Sequence, residues 1–343
     1  MTARAQRLAR GWTGAGIATS FAVASHAVAG GQAPAPRAPG GAPPPGPAAC
    51  HHGAMTPPVA DHLLPPDPVG EPGALSPAEP FELPAAGPAA ALVLHGFTGV
   101  PHSVRPWGRA LHGAGVHVSG PLLPGHGTRW EDLAGTRWEQ WRDHAAAHVR
   151  RLRAEHDVVV VCGLSMGGAL ALHLAALLPV DGVVALNPAL SVVSRTARLA
   201  PALHRLVPSV PAVGDDISLP GVTEHAYPRT PVAGVAQLGR FMVRTRRLLP
   251  SVTVPVLVLR SRADGVVSDR SHEHVLRSVG GSVELVRLDG SRHVATLDRD
   301  ADVVHARSER FVADLVAGTD PVTGRPLTGR PLTGTGPVAG GAR

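Results

Sequence analysis

The chain has 343 residues, 44% of them apolar and only 3% aromatic, a length that suits one large α/β domain with tails or two domains, and a composition that builds its core from Ala, Val and Leu. Its formal charge of +6 would suit a nucleic-acid binder, but it sits at the ends: Arg4, Arg7, Arg10 and Arg37 stand without an acid in 1–54, three arginines face Asp320 alone in 318–343, and 55–317 is neutral. That distribution, the two cysteines Cys50 and Cys162, and the lack of an apolar run near ~18 residues argue against a nucleic-acid partner, a disulfide framework and stable membrane insertion.

Residues 1–30 imitate an export signal, with an arginine-bearing start and a cleavage-like Ala27-Val28-Ala29, but Thr19, Ser20, Ser25 and His26 interrupt the apolar middle. The expectation is a cytoplasmic protein, with export by a weak signal as the alternative. Residues 31–49 are Pro/Gly/Ala-rich and read as disordered. The whole of 1–54 reads as a disordered extension, with translation starting at Met55, and 55–87 as an irregular lead-in.

Ala89 to Leu94 is a short apolar run, expected as a buried strand, and it enters His95-Gly96-Phe97-Thr98-Gly99. A helix is expected over 104–114, a short strand over 116–118, a loop at Pro124-Gly125-His126-Gly127 and a long helix over 136–153. Val158 to Val161 then form a β-branched run, the mark of another buried strand. Gly163-Leu164-Ser165-Met166-Gly167 follows at once and fits G-x-S-x-G, with a further glycine at 168. The next residues, 169–178, read as a helix stopped by Pro179.

That spacing has a steric reason. A strand turning sharply into a helix leaves the turn residue strained near positive φ, and flanking glycines let strand and helix approach. The strain exposes the Ser165 hydroxyl, and the Met166 N–H at a helix N-terminus points toward a developing negative charge. An incidental serine in a glycine-rich turn is the bland alternative; strand before, helix after and Gly168 weigh against it.

A strand over 182–187 comes next. Residues 188–250 break the alternation, with prolines at 201, 208, 211, 220, 228 and 231, and read as a cap insertion containing a helix around 233–247. The rhythm resumes with strands over 254–259 and 283–288 and helices over 269–278 and 301–317. Alternating strands and helices with apolar runs on the strands require a mostly parallel sheet covered on both faces. Residues 318–343, with Thr-Gly-Arg-Pro-Leu-Thr-Gly twice from Thr323, read as a disordered tail.

A serine hydroxyl needs a base to take its proton, and the base needs a carboxylate to orient it. Asp264 follows the 254–259 strand and His293 the 283–288 strand, the edge where α/β sheets place their sites. The order Ser165, Asp264, His293 is that of a nucleophile-elbow triad. With 19 histidines in the chain, His293 alone is a weak signal; order and position carry it. Asp269 reads better as a helix N-cap, and Asp289 lies too close to His293 in sequence. Two backbone donors are expected for the tetrahedral intermediate, Met166 N–H and Phe97 N–H. His95, His126 and Trp138 read as structural.

The segments His95-Gly96-Phe97-Thr98-Gly99-Val100-Pro101-His102-Ser103, Gly125-His126-Gly127-Thr128, Gly163-Leu164-Ser165-Met166-Gly167-Gly168 and His293-Val294-Ala295-Thr296-Leu297-Asp298 together resemble the bacterial monoacylglycerol lipase and carboxylesterase family of α/β-hydrolases, over about 88–317. The resemblance implies an α/β-hydrolase fold with a small cap and no cofactor or metal. It implies hydrolysis of monoacylglycerols or short- to medium-chain esters, with Ser165 as nucleophile, Asp264 as acid, His293 as base, and Phe97 and Met166 as oxyanion donors. Acyl transfer or thioester hydrolysis on the same fold, and a non-catalytic ligand-binding relative, are the alternatives.

Overall fold

The computed structural model describes residues 76–327 apart from 195 and 213. The expectations for 1–54, for Met55, for Cys50, for the first part of the lead-in and for 328–343 lie outside the described residues. Strand β1 (Phe81–Leu83) is followed by β2 (Ala89–Leu94), helix α1 (Arg105–Gly113), β3 (His117–Gly120), α2 (Trp130–Ala134), α3 (Trp138–Glu155), β4 (Val158–Leu164), α4 (Met166–Ala175) and β5 (Gly182–Leu186). The cap segment carries the short helix α5 (Ala200–Leu203), the strands β6 (Ser209–Pro211) and β7 (Arg229–Pro231), and α6 (Val232–Leu248). Then come β8 (Val256–Ser261), α7 (Arg270–Ser278), β9 (Val283–Leu288) and α8 (Ala301–Val316).

Seven strands form one sheet in the order β1-β3-β2-β4-β5-β8-β9. All neighbours run parallel except β1, which pairs antiparallel with β3. The central strands are buried on both faces, as their unbroken apolar runs require. Their side chains alternate between two cores. Val159 and Val161 join Trp141 of α3, Leu170 of α4 and Phe241 of α6 on one side. Val158, Val160 and Cys162 join Trp107 of α1 and Phe311 of α8 on the other. Each fully buried aliphatic or aromatic side chain of this kind contributes about 1.5–3 kcal/mol of transfer free energy. Trp107 Nε1 also donates to Ser308 Oγ at 2.9 Å, tying α1 to α8 beneath the sheet. This is the α/β-hydrolase fold, with every crossover delivering a loop to the C-terminal edge of the sheet.

Two expectations needed correction. The lead-in is not wholly irregular, because β1 lies in it and extends the sheet; Phe81 packs where a Cβ on Gly120 would stand 2.2 Å from its ring. The long helix expected over 136–153 is α3, and a separate short helix, α2, precedes it, with the Gly135 N–H closing α2 on the Glu131 and Asp132 carbonyls. The tail does not begin at 318: the Asp320 carboxylate accepts Ser282 Oγ–H at 2.8 Å and the N–H groups of Val322 and Thr323, and Leu327 packs on the α1/α8 side of the core. An aspartate that mimics a turn and one apolar anchor order a segment whose composition reads as disordered. Among the described residues no helix is long and apolar enough to cross a membrane.

Candidate active site

Strand β4 ends in a turn that the elbow glycines make possible. Ser165 sits at φ 58°, ψ −115°, a region that costs a non-glycine residue of order 1–3 kcal/mol and persists only when its surroundings enforce it. Here the Ser165 N–H donates to Leu186 O at 2.9 Å, and its carbonyl accepts from Ala169 and Ala189. A Cβ on Gly163 would stand 2.2 Å from the Gly167 backbone, and one on Gly167 would stand 2.2 Å from Leu94 O. The two glycines are therefore the places where β4, α4 and β2 touch backbone to backbone.

Asp264 and His293 come together after β8 and β9. His293 Nδ1 lies 3.0 Å from Asp264 Oδ2. The other carboxylate oxygen accepts the Val266 and Val267 N–H groups at 2.8 and 2.9 Å, and Arg260 pairs with Oδ2. Burial alone would raise the Asp264 pKa, but the His293 charge and hydrogen bond, the Val267 N–H and Arg260 outweigh it and hold the carboxyl down to about 2. Burial alone would lower the His293 pKa; the Asp264 carboxylate, with Glu224 and Asp216, reverses the balance and raises it. Asp264 is thus an ionised acceptor at neutral pH, and the ring proton on Nδ1 faces it.

The loop after β2 passes directly over Ser165. A Cβ on Gly96 would stand 3.4 Å from Ser165 Cβ and 3.9 Å from Oγ, so the residue brings backbone to the hydroxyl. Thr98 holds φ 66° in this loop. Among the described residues neither the Phe97 nor the Met166 N–H donates a hydrogen bond. His95 is structural: its Nε2 accepts the Leu123 N–H at 3.1 Å, so its proton is on Nδ1, which faces Gly96 O at 2.9 Å. Burial lowers the pKa values of His95 and His126 to about 3 and about 4, so both rings are neutral. They meet edge to face 5.0 Å apart, and Trp138 packs against His173 and Phe241.

Ser165 and His293 line one cavity of about 820 Å³ with Phe97, Val192, Leu238 and Met242. Apolar residues of the cap and α6 share its lining with Ser165, His293, Asp216 and Glu224 and with the basic Arg240, Arg246, Arg270 and His274. Burial pushes the Glu224 carboxyl up to about 7, against the pull of His293 and the Asp215 N–H. Tyr227 anchors the cap to the core loops, donating to Gly125 O at 2.8 Å and accepting the Thr128 N–H at 3.0 Å.

Sequence reasoning missed four residues around this site. Asn187 is fully buried after β5; its Nδ2 donates to His293 O at 2.8 Å and its Oδ1 accepts the Ser261 N–H at 2.9 Å. Arg260, also buried, contacts Asp264, Asp269 and the Val267 carbonyl. A charge ending an apolar strand run was the available signal for Arg260. Asp216 and Glu224 lie in the irregular cap, where no pattern marks them. Asp269 does occupy the N-cap position of α7, but its side chain caps nothing and turns 3.1 Å from Arg260 Nη2 instead. Asp289 pairs on the surface with Arg262.

A family model described as serine aminopeptidase, S33, matches residues 87–300. A thermostable monoacylglycerol lipase of Bacillus sp. (strain H-257) is 37% identical over 241 residues, 70% of this chain and 96% of that protein. A carboxylesterase of Bacillus subtilis (strain 168) is 27% identical over 231 residues, 67% and 94% of the two chains. Among solved structures, one from work on LipS and LipT, two metagenome-derived lipolytic enzymes, is 35% identical, with a TM-score of 0.68 over 70% of this chain and 99% of that one.

Proposed function

The chain belongs to the serine aminopeptidase S33 family and is a carboxylic ester hydrolase; on that premise we propose that it cleaves monoacylglycerols and short- to medium-chain acyl esters through an acyl-enzyme intermediate on Ser165. The observation that carries the reading is the His293–Asp264 pair, 3.0 Å apart, beside a cavity that Ser165 also lines.

In this reading Ser165 Oγ attacks the ester carbonyl while His293 Nε2 takes its proton. Asp264, ionised by its hydrogen bonds and Arg260, keeps the Nδ1 proton in place and stabilises the imidazolium. The Phe97 and Met166 N–H groups receive the oxyanion, an interaction absent from the ground state and therefore one that lowers the barrier. His293 then returns the proton to the leaving alcohol. Water, activated by the same ring, attacks the acyl-enzyme and releases the acid and Ser165. The apolar part of the lining, with Phe97, Val192, Val235, Leu238 and Met242, suits an acyl chain. Glu224, half-buried and facing His293 in the cavity lining, offers a hydrogen-bond partner to a polar alcohol such as glycerol.

Ser165→Ala tests the assignment: the folded variant is expected to lose p-nitrophenyl ester turnover and labelling by a fluorophosphonate probe. Turnover at the original rate, or labelling at another residue, would overturn it. A panel of monoacylglycerols and simple esters of graded chain length then ranks the substrates. We place the enzyme in the cytoplasm because Thr19, Ser20, Ser25 and His26 spoil an export signal; recovery in the culture medium would contradict this.

A further inference from the structure

We infer that Asp216, a cap residue, is a positioning residue that holds the acid and base loops in register, so that seating the cap and assembling the site are one event. The inference rests on the roles proposed for Ser165, Asp264 and His293.

Asp216 lies between β6 and β7, outside the sheet that carries those residues. Its Oδ2 accepts the N–H of Gly265, the residue after Asp264, at 2.9 Å, and the N–H of His293 at 3.3 Å. Its Oδ1 pairs with Arg292, the residue before His293, and its main-chain oxygen accepts the Val294 N–H at 3.2 Å. One carboxylate thus bridges the loops leaving two neighbouring strands, at the residues flanking the acid and at the base itself. A second carboxylate completes the stitch. Asp298 Oδ2 accepts the Ser218 N–H of the cap at 2.7 Å and the Arg292 N–H at 2.9 Å.

The energetics favour a clamp over an incidental contact. The Asp216 side chain is 10% exposed, and a carboxylate so placed is tolerated only when its oxygens are satisfied. Drawing 215–218 away would strand that charge and free the Gly265, His293 and Val294 N–H groups together. The other cap carboxylate near this site, Glu224, has its Oε1 accepting the Asp215 N–H at 3.2 Å. The groups facing His293 are Asp264 from the loop after β8 and Glu224 and Asp216 from the cap. Asp216 therefore contributes both register and a carboxylate facing the base.

The test separates these contributions. Asp216→Asn keeps the shape but removes the charge and turns an NH2 toward donors. It is expected to lower kcat for a soluble p-nitrophenyl ester by roughly 10- to 100-fold, the scale of a ~1 Å misplacement, with KM changed much less. The acid limb of its kcat/KM profile is expected to move to lower pH, because a negative charge has left the imidazolium. Asp216→Glu, which keeps the charge but lengthens the arm, is expected to lose kcat with the acid limb in place, and it carries the test if the Asn variant does not fold. A purely structural role predicts a lower Tm with kcat per folded molecule and the acid limb unchanged, and that result would overturn the inference. Ser165→Ala in parallel keeps the two readings apart: activity lost there but intact in both Asp216 variants refutes the clamp alone.

Discussion

Gly167→Ala probes the point where the elbow meets the loop proposed to receive the oxyanion. The new Cβ would stand 2.2 Å from Leu94 O, 2.7 Å from Leu94 C and 2.8 Å from His95 O. All three are backbone atoms, so no side chain can swing aside. Restoring ordinary contact, which begins near 3.4 Å, needs a relative shift of about 1 Å between α4 and the end of β2, and overpacking of this kind costs typically 1–3 kcal/mol. The displaced strand feeds His95-Gly96-Phe97, so the Phe97 N–H moves with it. A ~1 Å error at a catalytic group costs on the order of 100-fold in rate. We therefore expect kcat/KM for p-nitrophenyl butyrate to fall about 100-fold, with Tm lower by several degrees, at roughly 2–4 °C per kcal/mol for a domain of this size. Gly113→Ala is the control: nothing lies within 4 Å of its Cβ at the end of α1, so kcat/KM should hold and Tm should not fall. Gly167→Ala retaining both kcat/KM and Tm would refute the argument that backbone contact at the elbow sets the site.

The pH profile tests the electrostatics: His293 must be neutral to act as base, and Asp264 raises its pKa above the ~6.5 of a free imidazole, so kcat/KM should fall as pH drops through a value above that. Asp264→Asn should cut kcat by about 10⁴-fold, as loss of the orienting carboxylate does in other triads, and move the limb downward; an acid limb below 6 in the unmodified enzyme would contradict the pairing. At the cap, Tyr227→Phe removes the bonds to Gly125 O and the Thr128 N–H. Thr128 is exposed and its N–H can turn to water, so the expected loss is near the low end for a broken buried bond, about 1 kcal/mol. Thermal unfolding measures it, and an unchanged Tm would mean that this anchor does not hold the cap.

What the sequence determined by itself is local. Four consecutive valines, two flanking glycines and a helix former after Ser165 specify strand, elbow and helix, because each preference acts within a few residues. The strand–helix alternation then orders the loops, and that order placed Asp264 and His293 on the Ser165 edge of the sheet. Tertiary structure decided what depends on approach between distant segments. Asp216 reaches Gly265 across 49 positions and His293 across 77, so no spacing rule could have found it. Asp269 had the neighbours of an N-cap, yet a buried cation 3.1 Å away claimed its carboxylate. Leu327 sits in a repeat whose composition carries no core signal, and it is held because the α1/α8 face leaves an apolar surface for it. Local chemistry writes the elbow around Ser165 into the chain, whereas the carboxylates gathered around His293, the lining of the cavity and the edges of the domain exist only once the sheet has brought its loops together.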